Sequence, residues 1–281
     1  MLKKVARRVF GAVWLAVLLA ALPVLAQEWP CGRDSACEIE GGSYHLMFPP
    51  GWDGTSPLRT MVFYHGHRSS GASVFRSGGL KTDFSNAGWL IIAPNGARRP
   101  GTEIRAWPAR PDAGGRDDVA FSLAVLDDVA ARVPLDADHV YAAGFSAGGS
   151  MVWMMACYGS ERFVGFVSIS GALRRPIPEA ACPSGRVRLL QVHGFADTQV
   201  PFEGRGIGDW HQGDVFESFA LMRATHGCRS NPVEITKGGV FRCRSWNSCE
   251  AGALRMCLHD GGHGLTKGWT ELARDWFEGR G

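Results

Sequence analysis

The chain has 281 residues, 45% of them hydrophobic and 20% charged, with a formal net charge of +3 and eight cysteines. At roughly 100–200 residues per domain this is one large globular domain or two smaller ones, and a disordered or collagen-like chain is excluded. The charge is too small and too dispersed for a nucleic-acid surface.

Lys3, Lys4, Arg7 and Arg8 precede an uncharged, mostly apolar run from Val9 to Leu22, followed by Pro23 and Val24-Leu25-Ala26. A basic start, an apolar middle and small residues at a cleavage point make a secretory signal peptide of residues 1–26. An uncleaved anchor is the alternative, because Val9–Ala26 is just long enough to span a bilayer; Pro23 favours cleavage. Cleavage removes four basic residues and no acidic one, which turns +3 into −1 for residues 27–281. The mature protein is then expected to be secreted or periplasmic, and off the membrane.

Strands and helices alternate from there. Tyr44–Phe48, Arg59–Tyr64 and Trp89–Ala93 are short apolar runs stopped by Pro or Gly, as strands buried on both faces read. Asp117 or Asp118 caps a helix that runs to Val133, with Val119, Leu123, Leu126, Ala130 and Val133 on one face, and Pro134 closes it. His139–Ala143 is a strand and Gly148–Tyr158 a nearly all-apolar, buried helix. Phe163–Ser170 and Val187–Val192 are strands, and Val215–Thr225 is a helix. Val240–Trp246 and Ala253–Leu258 are strands around a turn at Cys249, and Thr270–Phe277 is the last helix. This alternation predicts an α/β class with a mostly parallel central sheet, flanked by helices in one domain over 27–281.

Export to an oxidising compartment makes four disulfides the reading of the eight cysteines. Cys31–Cys37 and Cys157–Cys182 are the expected local pairs. Cys228, Cys243, Cys249 and Cys257 allow three connectivities. There is no C-x-x-C to signal a zinc ribbon.

Gly144-Phe145-Ser146-Ala147-Gly148 matches G-x-S-x-G. With 37 glycines in the chain the bare pattern is weak. Its place between a strand and a helix gives it meaning, because a nucleophile elbow needs that context. Serine needs a base, and the base an orienting acid, expected in the chain order Ser, Asp, His. Asp197 follows the strand Val187–Val192, and His263 follows Ala253–Leu258 in a Gly-rich loop. His259 is the competing base and Asp260 the competing acid. An oxyanion hole is expected from the amides of Ala147 and of His67, in the loop after Arg59–Tyr64. A metal pair at His65 and His67 is the rival reading, but no further Asp or His follows nearby. No cofactor and no metal are expected.

These residues resemble the α/β-hydrolase esterases grouped with polyhydroxybutyrate depolymerases and feruloyl esterases. The marks are Tyr64-His65-Gly66, Asp117-Asp118-Val119-Ala120-Phe121, Gly144–Gly149, His193–Asp197 with Val200-Pro201, and Gly261-Gly262-His263. The resemblance runs from Gly42 to the last helix. It implies an α/β-hydrolase fold, a triad of Ser146, Asp197 and His263, and hydrolysis of a feruloyl-type or hydroxyalkanoate ester through an acyl-enzyme. The family's His is commonly followed by an aromatic and a Pro; here Gly264-Leu265-Thr266 follows, which implies a different pocket wall.

The ten Trp are many for this length. Trp107, Trp210, Trp246 and Trp269 fall in or near predicted loops, and Trp107 and Trp269 are put forward as substrate-binding. The partner is then a small-molecule or polymer-linked ester. No separate adsorption domain is evident, which favours soluble esters and oligomers over solid polyester. Two other functions share this pattern: an acyltransferase on the same scaffold, and a non-catalytic secreted binding protein.

Overall fold

The computed structural model describes residues 31–108, 115–208, 210–229, 231 and 234–280. The expected signal peptide lies outside the described residues.

In chain order the strands are β1 (Cys37–Ile39), β2 (Gly42–Met47), β3 (Leu58–Tyr64), β4 (Trp89–Pro94), β5 (Ala97–Arg98), β6 (Arg105–Ala106), β7 (Leu135–Phe145), β8 (Gly165–Ile169) and β9 (Arg188–Gly194). They continue with β10 (Gly206–Ile207), β11 (Trp210–His211), β12 (Glu234–Gly238), β13 (Phe241–Trp246) and β14 (Ala253–His259). The helices are α1 (Gly71–Val74), α2 (Asp118–Ala130), α3 (Ala147–Tyr158), α4 (Val215–His226) and α5 (Trp269–Phe277).

One sheet runs β1-β2-β4-β3-β7-β8-β9-β14-β13-β12. Every pair from β4 to β14 is parallel. Antiparallel strands close both edges. The ribbons β5–β6 and β10–β11 stand apart from it. The central strands are the continuous apolar runs of the sequence, buried throughout because helices cover both faces. On β3 the side chains alternate: Val62 and Tyr64 join the core under α2, α3 and α4, whereas Met61 and Phe63 join the core under α1 and α5.

The sheet, its direction and the expected helices follow the sequence pattern. Two details differ. The strand expected from His139 starts at Leu135 and continues for 11 residues, because Leu135 pairs with Leu58 of β3 ahead of an irregular stretch over residues 136–139, after which the register resumes at Val140 and Thr60. The buried face of α2 is Asp118, Phe121, Ser122, Val125, Leu126 and Val129. Ala130 is exposed, and Val119 and Leu123 are only half-buried, at the rim beside Gly159. The helix has two apolar stripes at proper spacing, and the one carrying the large Phe121 ring takes the core. Asp117 caps α2 by accepting from the Val119 and Ala120 amides, each at 3.0 Å.

The four bridges are Cys31–Cys37, Cys157–Cys182, Cys228–Cys249 and Cys243–Cys257. The last joins directly opposed residues of β13 and β14.

Candidate active site

Strand β7 ends at Phe145 and α3 starts at Ala147, so Ser146 is the whole turn between them. Its backbone sits at φ 59° and ψ −119°, a conformation a serine holds only under constraint. The constraint is local. The Ser146 amide donates to the Ile169 carbonyl at 2.9 Å, and its own carbonyl accepts the first helical bond from Ser150 at 3.0 Å. A β-carbon on Gly144 would collide with the Gly148 carbonyl, and one on Gly148 with the Tyr64 carbonyl, so both flanks must be Gly. The Ala147 amide belongs to the first turn of α3, which has no acceptor inside the helix.

Two loops bring the other groups to Ser146. Beyond the paired ends of β9 and β14, the Phe195 amide donates to His259 O at 2.8 Å and the Ala196 amide to Gly261 O at 3.1 Å. This backbone zipper fixes Asp197 relative to His263. His263 Nε2 lies 2.9 Å from Ser146 Oγ, and His263 Nδ1 lies 2.8 Å from Asp197 Oδ2. The Phe145 ring sits 4.8 Å from the imidazole, centroid to centroid. The other Asp197 oxygen accepts from the Gln199 amide at 2.9 Å and the Val200 amide at 2.8 Å. Burial pushes the Asp197 carboxyl up, but the bonds from His263 and the Val200 amide, with the nearby imidazoles, hold it below its ordinary value.

The competing residues go elsewhere. His259 is buried, and its ring meets Thr266 Oγ1 and the Gly261 amide instead of Ser146. Asp260 lies on the surface and pairs with Arg242. His193 is fully buried beside Asp197, donates from Nε2 to the Val200 carbonyl at 2.8 Å, and is kept neutral chiefly by burial.

His65 braces the loop after β3. Its Nδ1 donates to Gly66 O at 2.7 Å, its Nε2 accepts the Gly96 amide at 2.9 Å, and Trp107 Nε1 donates to its carbonyl at 2.8 Å. Burial lowers its pKa to about 4. Both ring nitrogens are committed, so the rival metal pair with His67 lacks its first ligand. Two residues on, His67 is exposed, and no described residue accepts from its amide.

A cavity of about 280 Å³ opens over Ser146, Ala147 and His67, with Trp107 and Trp210 in its walls. A second, of about 450 Å³, shares the Trp107 and Trp210 walls. Trp269, expected to bind substrate, does not line either cavity. It starts α5 and is buried in the core, 5.9 Å from the Phe63 ring. Trp246 is buried as well. An apolar indole near a loop is as readily core as pocket: Trp107, Trp246 and Trp269 are all buried in the core, and Trp107 alone of them also borders the cavities. Sequence reading missed Arg99, Arg174 and Arg205, which also line the first cavity. They come from three separate segments, so no spacing announces them.

This fold has many solved counterparts. An acetyl xylan esterase from Aspergillus awamori superposes with a TM-score of 0.60 over 84% of this chain and 93% of its own, at 15% identity. A Bacillus cereus carboxylesterase gives 0.55 over 85% and 95%, also at 15% identity. The chain has the α/β-hydrolase fold. The curated relatives of the chain carry esterase names. Feruloyl esterase C of Emericella nidulans is 26% identical over 272 residues, 90% of each chain. Feruloyl esterase B of Piromyces equi is 26% identical over 78% of this chain. NocK of Nocardia uniformis subsp. tsuyamanensis, named as an esterase, is 33% identical over 58% of this chain. The chain spans about half the length of these last two relatives, 42% and 47%. No family model matches it.

Proposed function

We propose that this α/β-hydrolase is an exported serine carboxylic-ester hydrolase working through an acyl-enzyme on Ser146. The observation that carries the reading is the relay from Ser146 Oγ through His263 to Asp197, with both links under 3 Å. Ser146 attacks the ester carbonyl as His263 Nε2 takes its proton. The amides of Ala147 and His67 receive the negative charge on the carbonyl oxygen. His263 then gives the proton to the departing alcohol. Water, activated by the same imidazole, releases the acid and restores the serine. Asp197 keeps Nδ1 protonated, so that Nε2 is the free base at each turn. Trp107 Nε1, through the His65 carbonyl, holds the loop that carries the His67 amide.

The names of the relatives favour feruloyl-type esters, with hydroxyalkanoate esters the second class to try. Four disulfides support export, as bridges persist in oxidising compartments. The deciding experiment uses a panel of 4-nitrophenyl acyl esters, methyl ferulate and a hydroxybutyrate oligomer. Ser146→Ala should lose hydrolysis of every ester the wild type cleaves, and should not react with a fluorophosphonate probe. Turnover by that variant near the wild-type rate would sink the assignment.

A further inference from the structure

The walls of the Ser146 cavity carry far more positive charge than ester hydrolysis needs. Arg99, Arg174 and Arg205 all line it, together with His67, and none of the described lining residues is Asp or Glu. Arg174 is almost wholly buried. It donates to the carbonyls of Trp107 at 2.8 Å and Pro108 at 3.0 Å, and lies 5.0 Å over the Trp210 ring. Arg205 is exposed, with its Nε on the Gln199 carbonyl at 2.9 Å. Arg99 is exposed at the end of the β5–β6 ribbon. Arg99 and Arg205 bring two exposed like charges to one small cavity, and a bound anion offsets their repulsion.

We propose that the ester taken by this site carries a carboxylate, which Arg99 and Arg205 receive, with the bonded Arg174 behind them adding to the field, while the Ser146 end of the cavity holds the ester carbonyl. The guanidinium fork matches a carboxylate in plane and spacing. The Trp107 and Trp210 walls suit a flat or short carbon frame between the two groups. His67 shows the local field: after burial, the arginines Arg99, Arg68 and Arg174 are what lower its pKa. The proposal rests on the esterase reading and narrows its substrate class.

The carboxylate could belong to the acyl part or to the alcohol part, and two matched pairs separate these. For the acyl side, 4-nitrophenyl hydrogen glutarate is compared with 4-nitrophenyl pentanoate. For the alcohol side, 3-acetoxybenzoate is compared with its methyl ester. The wild type should favour the anionic member of at least one pair in kcat/KM by roughly tenfold at about 10 mM salt, and the ratio should fall toward one at about 1 M. R99Q and R205Q, both at exposed residues, should each lower that ratio roughly threefold, since each removes one of the charges that hold the anion. No anionic preference in either pair overturns the proposal, as does a preference that ignores both salt and the two substitutions. The salt series needs no variant, so it stands even if one misfolds. If the fluorophosphonate labels Ser146 while the preference is absent, the esterase reading survives and the charge proposal falls. If neither labelling nor hydrolysis occurs, both fall.

Discussion

Gly194 closes directly on Gly261. A β-carbon at Gly194 would overlap the Gly261 carbonyl oxygen and come within 2.6 Å of that of Gly262. This contact seats the loop of Asp197 against the loop of His263. Gly194→Ala should therefore push the two loops apart, with the relay lengthened at its His263–Asp197 link. A misplacement of about 1 Å can cost about 10² in rate, and kcat should fall by at least that much. Overpacking should also cost roughly 1–3 kcal/mol of stability. Ester kinetics beside a denaturant titration check both.

Phe145 packs its ring on the His263 imidazole. Phe145→Ala removes the wall that stops the base from swinging away from Ser146. The expected result is a roughly tenfold lower kcat with KM unchanged, partly restored in Phe145→Leu. A rise in KM of the same size, with kcat intact, would assign the ring to substrate binding instead.

His65 makes stability depend on acid. Its folded pKa is lowered to about 4 by burial, and an unfolded histidine titrates near 6.5. Between these values the unfolded chain binds more protons, so stability rises with pH across about 4 to 6.5 and is lost as pH falls through that window. The contribution is about 3 kcal/mol when complete. His65→Gln should flatten this part of the stability profile, measured by urea titration at several pH values. An unchanged slope would remove His65 as its source.

Cys157–Cys182 ties the end of α3 to the approach to β9, across a separation of 25 residues. Replacing both cysteines by Ala should cost about 3–4 kcal/mol on the chain-entropy account. For a domain of this size that lowers the melting temperature by roughly 10 °C. Scanning calorimetry gives the number directly. Ester hydrolysis at room temperature should persist, because the bridge touches none of the Ser146, Asp197 and His263 relay.

The sheet was legible because its inner strands are buried on both faces and leave unbroken apolar runs, as in Trp89–Ala93. The meeting of Ser146, Asp197 and His263 was legible because each follows the end of such a run, with a glycine close by in the chain. Short and exposed elements were not. Strand β12 carries Ile235 at 67% exposure and has no inward stripe to betray it. The α2 face was misread because Val119 and Leu123 repeat as regularly as Phe121 and Val125. The charged wall was invisible for a different reason. Arg99, Arg174 and Arg205 lie far apart in the chain, and folding alone makes them neighbours.

The bridges differ in how they are threaded. Cys31–Cys37 and Cys157–Cys182 each join cysteines that follow one another in the chain. Cys228–Cys249 and Cys243–Cys257 interleave. A catalyst that oxidises thiols in order of emergence makes the first two bonds correctly and then joins Cys228 to Cys243. That error is undone only when a free thiolate attacks the bond already formed and passes it on. Production in a host with an oxidase but no disulfide isomerase thus traps the wrong isomer in the final quarter of the chain. That region carries His263, so such material would be lost to activity before the chemistry is ever tested.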